Sequence, residues 1–375
     1  MSTPYPERLA RLQAALQAAA CDGMAVVCGA SMRYLTGLAM HPHERLIVLL
    51  LPATSQPPLL VLPVLEQARA SATLAAHGLP IVCVGWLDET GPTTALAMAT
   101  AQLFGERPAP LLAVEYLAMR VMELRALEAA MPAMHTTDAT PLLAGLRMVK
   151  DADELAAMRA AVRIIEASLQ QIIPSIKAGV TERELAAQWR AATLALGADE
   201  EAFGCIVASG PNSANPHHAN SDRPFAPGDL IILDGGAVYQ GYVSDITRTV
   251  ALGTPSATAR TVYDLVLAAN TAGRAAVQPG TTGAAIDATV RAVIAGGGYA
   301  AQFIHRTGHG IGMEAHELPN IVAGSTTPLV AGMTFTIEPG IYLAGVGGVR
   351  IEDDLLVTAT GGESLTTFPR ELLVL

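Results

Sequence analysis

The chain has 375 residues, 51% hydrophobic and 15% charged, with 23 Lys+Arg against 34 Asp+Glu and a formal net charge of −11. That length predicts two or three domains with sizeable cores, and the acidic balance gives neither nucleic acid nor an anionic membrane surface an electrostatic footprint. Lys150 and Lys177 are the only lysines and neither lies in a Gly-rich loop, which excludes a Walker-type phosphate site.

From the N-terminus, Tyr5-Pro6-Glu7-Arg8-Leu9 carries charge where a secretory leader would be apolar. Glu7–Ala20 then places Leu9, Leu12 and Leu16 on one helical face. Short apolar runs at Met24–Val27, Leu46–Leu51, Leu59–Leu62, Ile81–Val84 and Leu111–Val114 read as strands, with helical patterns at Leu65–Leu74 and Thr94–Leu103. The greasiest stretch, Leu46 to Leu65, is cut by Pro52, Pro57, Pro58 and Pro63, so it predicts no membrane span. Cys21, Cys28, Cys83 and Cys205 form no C-x-x-C pair and read as buried apolar residues in a reducing compartment. A soluble, cytoplasmic protein is expected.

Alternating strands and helices predict an α/β domain over residues 1–145. Periodicity is lost over Met134–Leu146, which reads as the boundary of a second domain over 146–375. There, a helix is expected from about Asp151 to Ile173, and Thr181-Glu182-Arg183-Glu184 is a capping box opening another that ends near Gly197. Strands at Leu230–Asp234 and Val243–Val250 precede helices at about 257–276 and 282–294, then strands around Phe335–Glu338 and Val349–Val357. The order α-α-β-β-α-α-β-β predicts an internal duplication. Gly228 to Gly235 parallels Gly332 to Pro339: a glycine, an apolar strand and a carboxylate, with a further carboxylate on the next strand at Asp245 and at Glu352.

Asp234, Asp245, Glu338 and Glu352 all interrupt apolar runs, where an ionised carboxylate is costly unless paired or metal-bound. Taken singly, each is better explained by a buried salt bridge. Taken together, four acids need several cations, and only Arg248 and Arg350 stand close in sequence. A pair of divalent ions neutralises them more simply, with His309 as a nitrogen donor. Oxygen-rich ligation favours Mn, Co or Mg, and Zn also fits. The glycines around His309, in Gly308-His309-Gly310-Ile311-Gly312, allow the close backbone approach of a buried ligand loop. Their spacing does not fit a dinucleotide fingerprint. A polar loop from Ala208 to His218 precedes the first acidic strand.

The blocks around Asp234, Ser244-Asp245, Gly308-His309, Ile337-Glu338-Pro339 and Arg350-Ile351-Glu352 resemble, in order, the five metal-bearing blocks of the pita-bread metallopeptidases. Tyr34-Leu35-Thr36-Gly37, His41-Pro42-His43-Glu44-Arg45 and Gly85-Trp86-Leu87-Asp88 narrow the likeness to bacterial prolidases, the Xaa-Pro dipeptidases. The resemblance implies an α/β N-terminal domain followed by an α+β pita-bread domain with pseudo-twofold duplication. It implies two divalent ions per subunit, Mn favoured over Co or Zn, held by Asp234, Asp245, His309, Glu338 and Glu352, with Asp245 and Glu352 bridging.

On that reading the ions activate a water, lowering its pKa toward ~7. Glu338 is general base, and His217 and His316 contact substrate and stabilise the intermediate. Arg350 is expected as a charge partner of the ligands, with a contact to the substrate carboxylate as its second use. His43 and Arg45 are expected to limit substrate length from the partner subunit of a homodimer. The expected activity is release of proline from Xaa-Pro dipeptides. The alternatives are an aminopeptidase P acting on longer peptides and an inactive peptide-binding module. A creatinase-like protein is disfavoured by the intact ligand set. Two positions depart from the pattern: His41 stands where an acid is common, and Asn320 where several archaeal prolidases have arginine.

Overall fold

Strands buried from end to end organise the first half of the chain. In a computed structural model, which describes residues 3–375, the chain divides into two units, Met1–Leu146 and Arg147–Leu375. The first carries a six-stranded sheet in the order Val82–Trp86, Leu59–Pro63, Val48–Pro52, Gly23–Val27, Leu111–Val114, His135–Asp138. Its three central early strands pair antiparallel, and the outer pairings are parallel. Gly23–Val27, Val48–Pro52 and Leu59–Pro63 are buried throughout, as a sheet covered on both faces requires. Helices Thr93–Phe104 and Val121–Ala130 contribute Leu96, Ala99, Leu103 and Leu127 to a core with Val48, Leu50, Val61 and Leu112.

The five strands expected in this unit form. The stretch 134–146, read as a domain boundary without periodicity, holds strand His135–Asp138 and helix Thr140–Arg147. That strand is polar and lies at the sheet edge, so it carries no apolar alternation to detect. Helices Ala30–Thr36 and Val121–Ala130 were also not foreseen.

The second unit is built twice over. Helices Ala152–Ile172 and Glu182–Ala195, each opened by the reciprocal side-chain and backbone hydrogen bonds of a capping box, lead into strands Leu230–Gly235, Ala237–Tyr239, Tyr242–Val243 and Ile246–Ala251. Helices Ala257–Ala275 and Gly283–Gly296 lead into Thr334–Ile337, Gly340–Leu343, Gly347–Arg350 and Asp353–Val357. In both halves the outer two of the four strands pair antiparallel and the inner two form a hairpin. This is the expected duplication. One detail differs: Val243–Val250 and Val349–Val357 are not continuous strands. Each is interrupted at its acid, Asp245 or Glu352, where the chain leaves the hairpin and rejoins the sheet. None of the described helices is long and apolar enough to cross a membrane.

Candidate metal centre

The two interruptions and the two strand ends bring the expected ligands together. Asp234 lies on Leu230–Gly235, opposite Ile206 and Thr247. Glu338 follows Thr334–Ile337 and is fixed by its own N–H, which donates to Thr307 O at 2.8 Å. The repeats are stitched to each other at the acids. The Asp245 N–H donates to Asp354 Oδ2 at 3.0 Å, and the Glu352 N–H to Thr247 O at 3.0 Å. His309 sits on Gly308–Gly310, whose glycines are needed: a Cβ at Gly308 would run into Thr336 O, and one at Gly310 into the Leu318 backbone.

Ligand atoms of Asp245, His309 and Glu352 all lie within 4.8 Å of one another. His309 Nε2 is 3.3 Å from Glu338 Oε1 and 3.9 Å from Asp245 Oδ2. Its Nδ1 faces Gly310 O at 3.2 Å, so Nδ1 carries the proton and the bare Nε2 points at the acids. Asp234 accepts from Arg350 through Oδ2 at 2.6 Å, while its Oδ1 is buried without a hydrogen-bond partner, as is Asp245 Oδ1. Glu352 Oε2 accepts from the Thr247 hydroxyl at 2.6 Å.

The electrostatics are those of a pocket short of positive charge. Burial, then the neighbouring acids, push Asp245 and Glu352 well above the usual carboxylate range. Burial lifts Glu338 to about 7 against the pull of Arg350 and Arg306. Burial likewise lowers His309 to about 3, leaving it neutral and able to ligate. Buried orphan oxygens beside a neutral imidazole fit divalent cations.

Arg248 and Arg350 divide the work expected of them. Arg248 is buried on Asp353, at 2.8 Å, and on the carbonyls of Thr247, Glu352, Phe368 and Pro369, so it braces the backbone at Glu352 while its ion pair goes to Asp353. Arg350 is buried behind Asp234, with donors also on Tyr342 Oη at 2.9 Å and Thr247 Oγ1 at 3.2 Å. Its donors are spent on protein atoms, which favours the charge-partner use over a substrate contact. His316 is exposed, its ring centroid 4.2 Å from that of His309. His217 is also exposed, and its charge weighs on both His316 and His305.

Three contributors were missed. Asp354 is a fifth buried acid, raised by burial. Tyr342 and His305 extend the Arg350 contact, with His305 Nε2 2.9 Å from Tyr342 Oη and Nδ1 2.7 Å from Arg306 O. Since Nδ1 faces a carbonyl, it donates, and the Tyr342 hydroxyl donates to Nε2 while accepting from Arg350. Cross-strand register held the signal: Gly340 faces Arg350, and Tyr342 lies two residues on, on the same face.

In the first unit, Arg45 forms a bidentate pair with Asp88, both contacts 2.9 Å, and a pair with Glu44. His43 Nδ1 accepts from the Arg45 N–H at 3.1 Å, and the His43 carbonyl accepts from Arg120 at 2.7 Å. The His41–Arg45 loop is thus an ordered, charge-paired turn.

Residues 156–359 match metallopeptidase family M24, and residues 8–149 match the creatinase/prolidase N-terminal domain. The chain is 39% identical over 371 residues to the probable dipeptidase PepE of Mycobacterium tuberculosis, covering 99% of this chain and 96% of that one. It is 35% identical over 371 residues to a Xaa-Pro dipeptidase of Lactobacillus delbrueckii subsp. lactis, covering 98% of both. The crystal structure of a prolidase from Thermococcus sibiricus is similar over 100% of both chains, with TM-score 0.93 and 37% identity.

Proposed function

The chain belongs to metallopeptidase family M24, its second unit carrying the pita-bread fold, and from that premise we propose that it hydrolyses Xaa-Pro dipeptides and releases proline. The observation that carries the reading is the cluster of buried, mutually raised carboxylates around a neutral His309, in a chain similar along its length to Xaa-Pro dipeptidases.

Asp234, Asp245, His309, Glu338 and Glu352 hold two divalent ions per subunit, Mn favoured and Co or Zn admitted by the donor set. When bound, the ions activate water and polarise the scissile carbonyl. Glu338, the one ligand of the five that keeps partial solvent exposure, takes the proton from the attacking water and passes it to the leaving proline nitrogen. That nitrogen belongs to a tertiary amide without N–H, so selection rests on accommodating the ring. His316 and His217, exposed beside the centre, donate to the carbonyl oxygen as charge develops on it. Arg350 orients Asp234. A cytoplasmic homodimer, with His43 and Arg45 limiting substrate length from the partner subunit, completes the reading.

The test is a panel of Xaa-Pro dipeptides, Xaa-Pro-Yaa tripeptides and non-proline dipeptides, assayed with added Mn²⁺ and after chelation. Metal-dependent proline release confined to dipeptides is expected. Equal cleavage of tripeptides assigns an aminopeptidase instead, and inertness toward all three a binding module.

A further inference from the structure

The strand interruptions at Asp245 and Glu352 take backbone groups out of the sheet ladder, and buried N–H and C=O groups then need other partners. Those partners lead to one segment outside the centre, residues 364–370. The Glu352 carbonyl accepts from Arg248 Nη1 at 2.5 Å, and the same Nη1 donates to Thr247 O, the acceptor of the Glu352 N–H. Arg248 gives its other three donors to Asp353 Oδ1, Phe368 O and Pro369 O, so every N–H of the guanidinium is engaged. Asp353 is equally saturated. Its Oδ1 also accepts from the Thr366 hydroxyl at 2.8 Å, and its Oδ2 accepts from Arg370 Nε at 2.7 Å and Asn270 Nδ2 at 3.0 Å. Thr366 Oγ1 in turn accepts the Asp354 N–H at 3.2 Å, and the Asp354 carboxylate accepts the Asp245 N–H. Arg370 closes the turn on the Thr366 carbonyl at 3.0 Å, and Glu166 receives the N–H groups of Thr367 and Phe368. Thr366 and Arg370 thus reach the ligands through Asp353, Asp354 and Arg248, at the backbone rather than at the carboxylates.

Acids converging in a buried pocket repel one another until cations arrive. A frame that holds them in place beforehand raises affinity by removing the cost of ordering them. We propose that segment 364–370 is such a frame: it fixes the backbone at Asp245 and Glu352, so that Thr366 and Arg370 are positioning residues that set cation affinity from outside the centre. The proposal rests on the metal-binding reading above. Asp245 and Glu352 are the acids expected to bridge the ions, and a bridging carboxylate has two distances to satisfy at once, which makes it sensitive to backbone drift.

The experiment measures Mn²⁺ binding by equilibrium dialysis, and hydrogen exchange of the metal-free protein over residues 244–249 and 351–355, in the wild type and four variants. Thr366→Val keeps the side chain's shape and removes the hydroxyl. It is expected to weaken binding roughly tenfold, the lower end of the loss typical of a ligand's hydrogen-bonded support, and to quicken exchange in both stretches. Thr366→Ser restores both. Arg370→Gln leaves Asp353 paired with Arg248 and, at 3.8 Å, with Arg274, so it keeps the buried charge balanced and supplies the answer should Thr366→Val not fold; binding weakens in the same direction. Thr193→Val is the control. It deletes another buried hydroxyl of the same unit, bonded to Ser168 Oγ and Trp189 O at 3.0 Å each, and is expected to bind Mn²⁺ as the wild type does. Wild-type affinity in Thr366→Val or in Arg370→Gln, or an equal loss in Thr193→Val, overturns the role of the segment. A wild type that retains no Mn²⁺ overturns the metal-binding reading itself.

Discussion

The two repeats of the second unit share a backbone plan and anchor their loops by opposite charges. In the first repeat, the loop leading from strand Ile206–Ser209 to Phe225 is tied to a single carboxylate, Glu182. That side chain is fully buried and accepts from Ser209 N and Oγ at 2.8 Å each, Ser221 N at 3.0 Å and Oγ at 2.6 Å, Asn212 Nδ2 at 3.0 Å, and His218 Nε2 at 2.7 Å. In the second repeat the loop after Gly308–Gly310 is acidic, and the anchors are cations: Arg147 on Glu314 and Glu317, each at 2.7 Å, and Lys150 on Glu317. Each anchored loop carries one of the second unit's two exposed histidines, His217 or His316. Duplication conserves the hydrogen-bonded frame, whereas buried charge needs only local balance and is free to change sign.

The centre joins these unlike halves, with two aspartates from the first repeat and two glutamates plus His309 from the second. The largest expected effects lie there. Glu338→Gln keeps an oxygen ligand and removes the proposed base, so kcat falls by roughly 10²–10⁴. Asp234→Asn, its counterpart in the first repeat, weakens cation binding instead, read by equilibrium dialysis, with kcat at saturating metal less affected. If both variants lose kcat equally at saturating metal, the division of labour between the repeats is wrong.

Next in size is Glu182. Burial pushes its pKa up, but hydrogen bonds from Ser221, Ser209 and His218 outweigh that and hold it at about 2. A depressed folded-state pKa means its stabilisation is fully present above the unfolded value, near 4.5, and is lost as pH falls toward 2. Glu182→Gln turns one acceptor into a donor among donors, at a cost of about 3 kcal/mol at neutral pH. Urea unfolding between pH 7 and pH 3 checks both points. The variant starts lower and loses less on acidification than the wild type. Parallel acid profiles would remove Glu182 as the first repeat's charge hub.

The smaller counterpart is Lys150→Met. Burial raises Glu317, but Lys150 and Arg147 hold it below its ordinary range. With Arg147 still 2.7 Å away, loss of Lys150 leaves the carboxylate paired. The cost is expected at ~1–2 kcal/mol, below the 3–5 kcal/mol of an orphaned buried charge. A loss as large as that of Glu182→Gln would mean that the second loop also hangs on one residue.

The ligand blocks were legible through their order: a single carboxylate in an apolar run is explained by a salt bridge, but four of them with the His309 block, in the sequence of the pita-bread metallopeptidases, carry the resemblance. The interruptions at Asp245 and Glu352 were not, since Val243–Val250 and Val349–Val357 read as unbroken strands and only the hairpin geometry splits them. Edge strand His135–Asp138 was lost because half-exposed polar residues carry no period. The pairing of Arg147 and Lys150 with Glu314 and Glu317 was beyond reach for another reason: the partners lie more than 160 residues apart in the chain, and no local pattern encodes who claims whom.

The smallest effect tests whether the hairpin of the second repeat contributes to the ligand that the first repeat supplies. Tyr342, on Gly340–Leu343, accepts from Arg350 and donates to His305, and Arg350 in turn holds Asp234. Burial lowers His305 to about 4, so the ring is neutral at working pH and its Nε2 stays an acceptor. The polarity of the chain is therefore fixed. Tyr342→Phe removes both hydrogen bonds while preserving the ring, and leaves Arg350 its contacts to Asp234 and to Thr247. Cation affinity is expected to weaken by less than the roughly 10–100-fold typical of a group touching the ligand itself, with about a threefold change read by calorimetric titration. Because His305 does not ionise in that range, the change is the same at pH 6 and pH 8. A loss that grows toward pH 6 would place a protonating His305 in the chain and reverse the direction of its hydrogen bonds.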